Sequence, residues 1–459
     1  MVDAAPFRGL RYDPRVAGGV GSTSAPAYEE LERFAYARHR TASPYTVVEL
    51  IAPRGGRGYR AAAQTWERWR RTGVLVEEPA PAFYLYEEHE LRGGVPAMQR
   101  GVLAAVSLEP LDGSGAVHAH EDVDAERAAE RLARLEAVPV DLSPVFAIYD
   151  RAPEALGRLL DDAHRTPPVV ALTDEAGVDH RVWAVREPAT IDRLRGALAP
   201  VQVVIADGHH RYASALEFRR RAGGPAPGGD SPRDRILMYL VDARTHGPRV
   251  GAIHRLARAL PPSAVDRLRA RAAEAPVDGG LRGLLARLRD EPGPACGLRM
   301  PGGDAGVLYP PHARGPVPDH PPHARGPVPN PPHARGPVPD PPHARGPVPD
   351  PGRPLLDVDL VTHALSETAP HAPVEHVTDP AEAAAAVDAD PHAALFVVRP
   401  VPADRVFALA AAGHRLPPKT TWFRPKPRTG LVMRAVAGQA DAAWTHDVAP
   451  GARPGSVRG

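Results

Sequence analysis

Residues 201–216 read Val-Gln-Val-Val-Ile-Ala-Asp-Gly-His-His-Arg-Tyr-Ala-Ser-Ala-Leu, and no other stretch of the chain limits its fold as tightly. Val203, Val204 and Ile205 form a β-branched run suited to a buried strand. Asp207-Gly208 then turns the chain, and between Tyr212 and Arg221 the apolar residues Ala213, Ala215, Leu216 and Phe218 follow helical spacing. This order of strand, tight turn and helix puts Gly208, His209, His210 and Arg211 at a helix N-terminus. Unpaired N–H groups and the helix dipole favour an anion there, and a phosphate suits the corner.

The residue types agree with that reading. Gly208 allows close approach of the backbone, Arg211 can grip a phosphate bidentately, and the two imidazoles can donate hydrogen bonds or carry charge near neutral pH. Asp207 would repel a bare phosphate, but it could hold a magnesium ion or accept a proton. The alternative is that Asp207 only caps the helix and the histidines are solvated.

A length of 459 residues suggests two or three domains. With 5% aromatic residues, 42 glycines and 56 prolines, part of the chain must be loop or linker, and the core must rest on Ala, Val and Leu. Lys plus Arg total 56 against 55 Asp plus Glu, so no bulk field draws the chain to nucleic acid or to a membrane. The single Cys296 has no internal disulfide partner, which fits a reducing compartment. Residues 1–13 carry no apolar signal core and no 18 uncharged apolar residues run together, so a soluble cytoplasmic protein is expected.

Helices are expected over 29–42, 59–72, 125–137, 189–198, 355–366, 380–387 and 402–412. Strands are expected over 45–51, 83–86, 101–108, 145–149, 181–185, 235–241 running on to 256, 375–377, 394–399 and 431–434. Between Pro310 and Pro349 the motif Pro-Pro-His-Ala-Arg-Gly-Pro-Val-Pro occurs four times. Proline at this density blocks helix and sheet ladders and leaves an extended, disordered insert. One histidine per copy (His312, His323, His333, His343) makes no preformed metal site in such a tract.

Two more clusters could carry chemistry. His118, His120, Glu121 and Asp122 could form part of a metal shell; equally, Glu121 could be a general base with His120 contacting phosphate or substrate, or the group could be a solvated strand end. Lys419 and Lys426, the only lysines in the chain, fall in one Pro-rich segment with Thr420, Thr421, Arg424 and Arg428. A compact ammonium where Arg would not serve is one reading, and incidental clustering is the other. Walker, nucleophile-elbow, Cys-x-x-Cys and Rossmann patterns are absent.

Phe7-Arg-Gly-Leu-Arg-Tyr12, Ser43-Pro-Tyr-Thr-Val-Val48, Tyr59-Arg60, His120-Glu-Asp-Val123, Leu142-Ser-Pro-Val-Phe146, Ala206-Asp-Gly-His-His-Arg-Tyr212, His254-Arg255 and the segment 419–430 together resemble the bacterial and archaeal domain of unknown function 1015 family over about residues 5–436. The Asp-Gly-His-His-Arg element is also similar to the phosphate-binding motif of the ParB/sulfiredoxin-like superfamily, which includes free-serine kinases. That resemblance implies an α/β (mixed α+β) fold. Its nucleotide-binding core would span 5–260, with a C-terminal α/β subdomain at 261–308 and 355–436, a Pro-rich linker at 309–354 and a flexible tail at 437–459. It further implies ATP or ADP with magnesium on Asp207, and phosphates held by Gly208, His209, His210, Arg211, Lys419 and Lys426. Asp207, Glu121 and His120 would be catalytic, while Tyr212, His254 and Arg255 would meet a small hydroxyl-bearing substrate, possibly serine. Nucleic acid is not an expected partner, and a nucleotide-sensing scaffold without turnover is the alternative. The sequence departs from the family pattern at Ala25-Pro-Ala-Tyr28 and at Ile253.

Overall fold

Alternation of apolar residues builds one large mixed sheet in the computed structural model, which describes residues 1–31, 36–53, 58–151, 153–226, 228–229, 231–310 and 353–436. Its strands are β1 (Ala4–Ala5), β2 (Phe83–Arg92), β3 (Val95–Ser107), β4 (Val117–Ala119), β5 (Val145–Tyr149), β6 (Val170–Thr173), β7 (Asp179–Val185), β8 (Val203–Asp207) and β9 (Arg235–Asp242). Their order is β4-β8-β5-β9-β3-β2-β7-β6, with β1 added to β3. β8 runs parallel to β4 and β9 parallel to β5; the other pairings are antiparallel.

Successive side chains of a strand point to opposite faces, and here both faces are covered. On one, Leu85, Val102, Val145, Val203, Ile205 and Met238 join a buried cluster with helix residues. Those residues come from α2 (Ala125–Ala137), α3 (Glu154–Ala163), α4 (Pro188–Leu198) and α5 (His209–Arg221), through Leu132, Leu156, Leu194 and Phe218 among others. On the other face runs an aromatic chain, Tyr86–Tyr239–Phe146–Phe423, with ring centroids 4.9, 5.6 and 6.3 Å apart. Each such side chain, fully buried, contributes about 1.5–3 kcal/mol. A satellite core forms where α1 (Tyr59–Arg71) sets Trp66 and Trp69 against Val47, Val48, Leu50 and Ile51.

By its internal contacts the chain divides into two compact units: Met1–Val250 with Pro402–Pro418 and the chain from Trp422 on, and Gly251–Val401 with Lys419–Thr421. The second has its own five-stranded sheet of β10 (His254–Ala257), β11 (Cys296–Arg299), β12 (Ala305–Leu308), β13 (Val374–Val377) and β14 (Ala394–Val397), in the order β12-β11-β14-β10-β13. All its pairings are antiparallel. Phe396 faces one core and its neighbours Leu395 and Val397 the other, so helices cover both sides.

Most expected elements form, with three differences. Residues 45–51 are not a strand: Thr46 N–H donates to the Ser43 carbonyl in a turn, and Val48–Ile51 is a single helical turn. An apolar run this short looks the same to periodicity in either state. Strand β9 ends at Asp242 rather than running on to residue 256, because β10 belongs to the second unit's sheet. The segment from Pro402, expected to lie with the C-terminal subdomain, has its contacts in the first unit apart from Lys419–Thr421. The proline repeat and the tail lie outside the described residues, except for Pro310 at the head of the first copy.

One buried acid marks a cost in the main sheet. Glu88 on β2 faces Gln99 on β3, whose Nε2 donates to Glu88 Oε2 at 2.5 Å, while Oε1 has no hydrogen-bond partner. Burial pushes its carboxyl up to about 8 from an ordinary value near 4.5. Between those two pH values the unfolded chain loses the proton and the folded chain keeps it, so this group's stabilising contribution is lost as pH rises through that window. Glu88→Gln should therefore raise the melting temperature at pH 8, with the gain shrinking to nothing toward pH 4.5. Melting curves across that range check it, and a pH-independent difference would assign the effect to packing instead.

Candidate functional site

The site begins where β8 loses register. Ile205 lies opposite Ala147, but Asp207 lies opposite Phe146, so one residue bulges and the end of the strand is re-aimed. Gly208 follows with φ +98°, in the left-handed region, as the N-cap of α5, and brings no side chain to cap the first-turn amides. Glycine is needed for space as well, because a Cβ would stand 2.9–3.0 Å from the Arg211 guanidinium.

That guanidinium folds back over the turn. Its Nη2 donates to Asp207 Oδ2 at 2.7 Å, and its Nη1 donates to Ser143 Oγ at 2.8 Å and to the Pro144 carbonyl. Lys426 Nζ donates to the other carboxylate oxygen, Asp207 Oδ1, at 2.6 Å. The Lys426–Asp207 pair is almost wholly buried. Two cations share one carboxylate at the N-terminus of α5, where the helix dipole adds positive potential.

Both Asp207 oxygens accept bonds from cations, so a magnesium ion there would meet two fixed positive charges. The donor set does not fit the metal. Among the described residues no group of three or more His, Cys, Asp or Glu is placed to hold an ion.

The histidines cluster beside the corner. His120 Nδ1 lies 2.6 Å from the Ile205 carbonyl, so this nitrogen carries the proton and Nε2 presents a lone pair, 3.7 Å from Glu121 Oε1. Burial pushes His120 down to about 4, so it is neutral at pH 7. The His209 ring stands edge-on at 4.7 Å, and its Nε2 accepts from the His120 amide at 3.4 Å. Burial, then the His120 neighbour, push it well down too. His210 Nε2 accepts from the Asp124 amide at 3.2 Å, fastening α5 to the N-cap of α2.

Other expected residues are placed elsewhere. Tyr212 is fully buried, its hydroxyl bonded to both the amide and the carbonyl of Glu109, so it serves the core rather than a substrate. His254, Arg255 and Lys419 belong to the second unit. There His254 Nδ1 accepts from Val398 N at 3.2 Å, and Arg255 donates to the Ile253 carbonyl at 2.6 Å and the Lys419 carbonyl at 3.0 Å. Sequence reading missed Ser143 and Pro144 as anchors of Arg211. It also missed Arg415, which donates to the carbonyls of Ala119 at 2.6 Å and Leu111 at 2.9 Å and helps depress the histidines. Nothing local sets Arg415 apart from the many other arginines.

The fold and corner define a mixed α/β protein with a cationic helix N-terminus at the end of a central strand. The chain belongs to the family described as protein of unknown function (DUF1015), whose pattern matches residues 4–297. None of the curated proteins matches it. Among solved structures it is similar to C-terminally truncated SbnI from Staphylococcus aureus (11% identity, 70% of this chain and 82% of that one, TM-score 0.34). It is also similar to a mutant free serine kinase in complex with ADP (12%, 72% and 92%, 0.34) and to a conserved hypothetical protein from Pyrococcus furiosus (13%, 71% and 93%, 0.32). Scores this low carry no conclusion about activity. No helix among the described residues is long and apolar enough to cross a membrane.

Gly208→Ala should destabilise the protein by about 1–3 kcal/mol, the usual cost of a non-glycine residue held in a sparsely populated backbone region. Urea unfolding measures it; an unchanged midpoint would mean that the turn relaxes without strain.

Proposed function

We propose that the Asp207–Arg211–Lys426 corner binds the phosphates of ATP or ADP and that the protein transfers a phosphoryl group to a small hydroxyl compound. The observation that carries this reading is the doubled cation on one carboxylate at the N-terminus of α5. Phosphate oxygens compete with Asp207 for Arg211 and Lys426 and gain the first-turn amides besides. Asp207 holds both cations in place until the phosphates arrive.

The base comes from the neighbouring pair. His120 Nε2 or the Glu121 carboxylate takes the proton of the acceptor hydroxyl; the acceptor oxygen bonds to the terminal phosphorus as the bond to the leaving phosphate oxygen breaks. Lys426 and Arg211 then meet the charge that develops on the departing oxygen. Glu121 Oε1 stands 3.7 Å from His120 Nε2, where its charge would favour the imidazolium once formed.

A second reading, nucleotide binding without turnover, has its own support: Arg211 is held three ways, by Asp207, Ser143 and Pro144. Incubating the protein with ATP or ADP and a pool of hydroxyl metabolites, serine among them, and following label from the terminal phosphate decides between the two. Transfer that Lys426→Met reduces at least tenfold supports the kinase; a nucleotide-dependent rise in melting temperature without product supports the sensor. No thermal shift with any common nucleotide would sink both.

The pH profile tests the base. With His120 held down to about 4, it keeps its lone pair through neutrality, so kcat/KM should stay level down to about pH 5 and fall only below it. An acid limb near the ordinary histidine value would show that this imidazole is not the acceptor.

A further inference from the structure

Arg211 is also a wall of a second concavity. A cleft enclosing about 30 Å³ is bounded by Arg131, Arg134, Arg211, Ser143, Ser214 and Tyr28, with other residues behind them. Such a volume holds about two or three water-sized groups, which is the scale of the oxygens of one phosphate.

Charge in the cleft is unbalanced. Arg131 and Arg134 lie at i and i+3 on α2, so they share a face, and Arg211 comes from the first turn of α5. The Asp141 carboxylate in the lining is already met by Arg434 Nε at 3.0 Å and by the Leu237 amide at 2.9 Å. Glu130 Oε2 lies 3.2 Å from Arg131 Nη1, and its other oxygen accepts from the hydroxyls of Tyr28 and Tyr59, each at 3.2 Å. Arg131 is held flat over the Tyr28 ring at 3.5 Å, which fixes its guanidinium in place.

Arg134 is the exception. Among the described residues it pairs with no carboxylate, and its bond is a donation to the Val140 carbonyl at 3.2 Å. A guanidinium shielded from water with no carboxylate bonded to it is costly even with Asp141 nearby, and an incoming anion would relieve part of that cost.

We infer that this cleft is a second oxyanion site, in which Arg131, Arg134 and Arg211 with the Ser143 hydroxyl hold the phosphate of a monoester. A dianion suits a cleft lined by three guanidiniums better than a carboxylate does. The inference stands whether or not the Asp207 corner turns over a nucleotide, since the cleft uses α2 residues that the corner does not.

Calorimetric titration of the full chain with inorganic phosphate, glycerol 3-phosphate, a nucleoside monophosphate and acetate tests it. Phosphate should bind, and Arg131→Gln should weaken it at least tenfold. Arg134→Gln should act likewise, and Arg131→Gln keeps the test decisive if loss of the Val140 bond unfolds that variant. Tighter binding of the nucleoside monophosphate than of glycerol 3-phosphate, lost in Arg131→Gln, would make a nucleotide the source of the phosphate; the reverse order would make it a small metabolite. Absence of phosphate binding, indifference to both α2 substitutions, or acetate binding as tightly as phosphate would overturn the assignment.

Discussion

Everything proposed for the first unit depends on how Asp207 is neutralised. A carboxylate this deeply buried at the end of a sheet strand would be strongly unfavourable alone, and two cations remove that penalty from opposite sides, one oxygen to Arg211 and the other to Lys426. The same bonds join the end of β8, the first turn of α5 and the segment around residue 426 into one rigid corner. They also place two cationic side chains at that corner. Stability and anion affinity therefore come from one arrangement, and a ligand phosphate must displace an interaction the protein already satisfies.

Around that corner the histidines are quiet. His120 and His209 are buried, neutral and locked in tautomer by a carbonyl on one side and an amide on the other. A neutral imidazole suits the proton acceptance proposed for His120, whereas a charged one would suit phosphate binding. The cationic side chains bonded at the corner are those of Arg211 and Lys426. In the cleft beside Arg211, Arg134, which bonds no carboxylate among the described residues, is the ground for inferring a second place for an anion.

Much of this was legible in the chain. Elements with long, strongly periodic patterns, such as Tyr59–Arg71, Ala125–Ala137 and Arg235–Asp242, fall within a few residues of expectation because burial on one or both faces leaves its own repeat in the sequence. The corner was legible too, since Asp-Gly after a β-branched run fixes a turn whatever surrounds it. Residues 45–51 were misread because a short apolar run carries no period that separates strand from helix. Tyr212 was misread because its use is set by Glu109, far away in sequence. The two lysines looked alike in sequence, but one holds Asp207 in the first unit and the other has its contacts in the second.

The sequence by itself determined a strand, a left-handed glycine and a helix in succession, and with them an amide-lined N-terminus fit for an anion, because those are local steric and hydrogen-bonding consequences of a few adjacent residues. Only the tertiary structure decided which charges stand there. Lys426 reaches Asp207 across 219 positions and Ser143 reaches Arg211 across 68, and pairings at that range are fixed by how sheet and helices pack, not by any pattern that neighbouring residues can show.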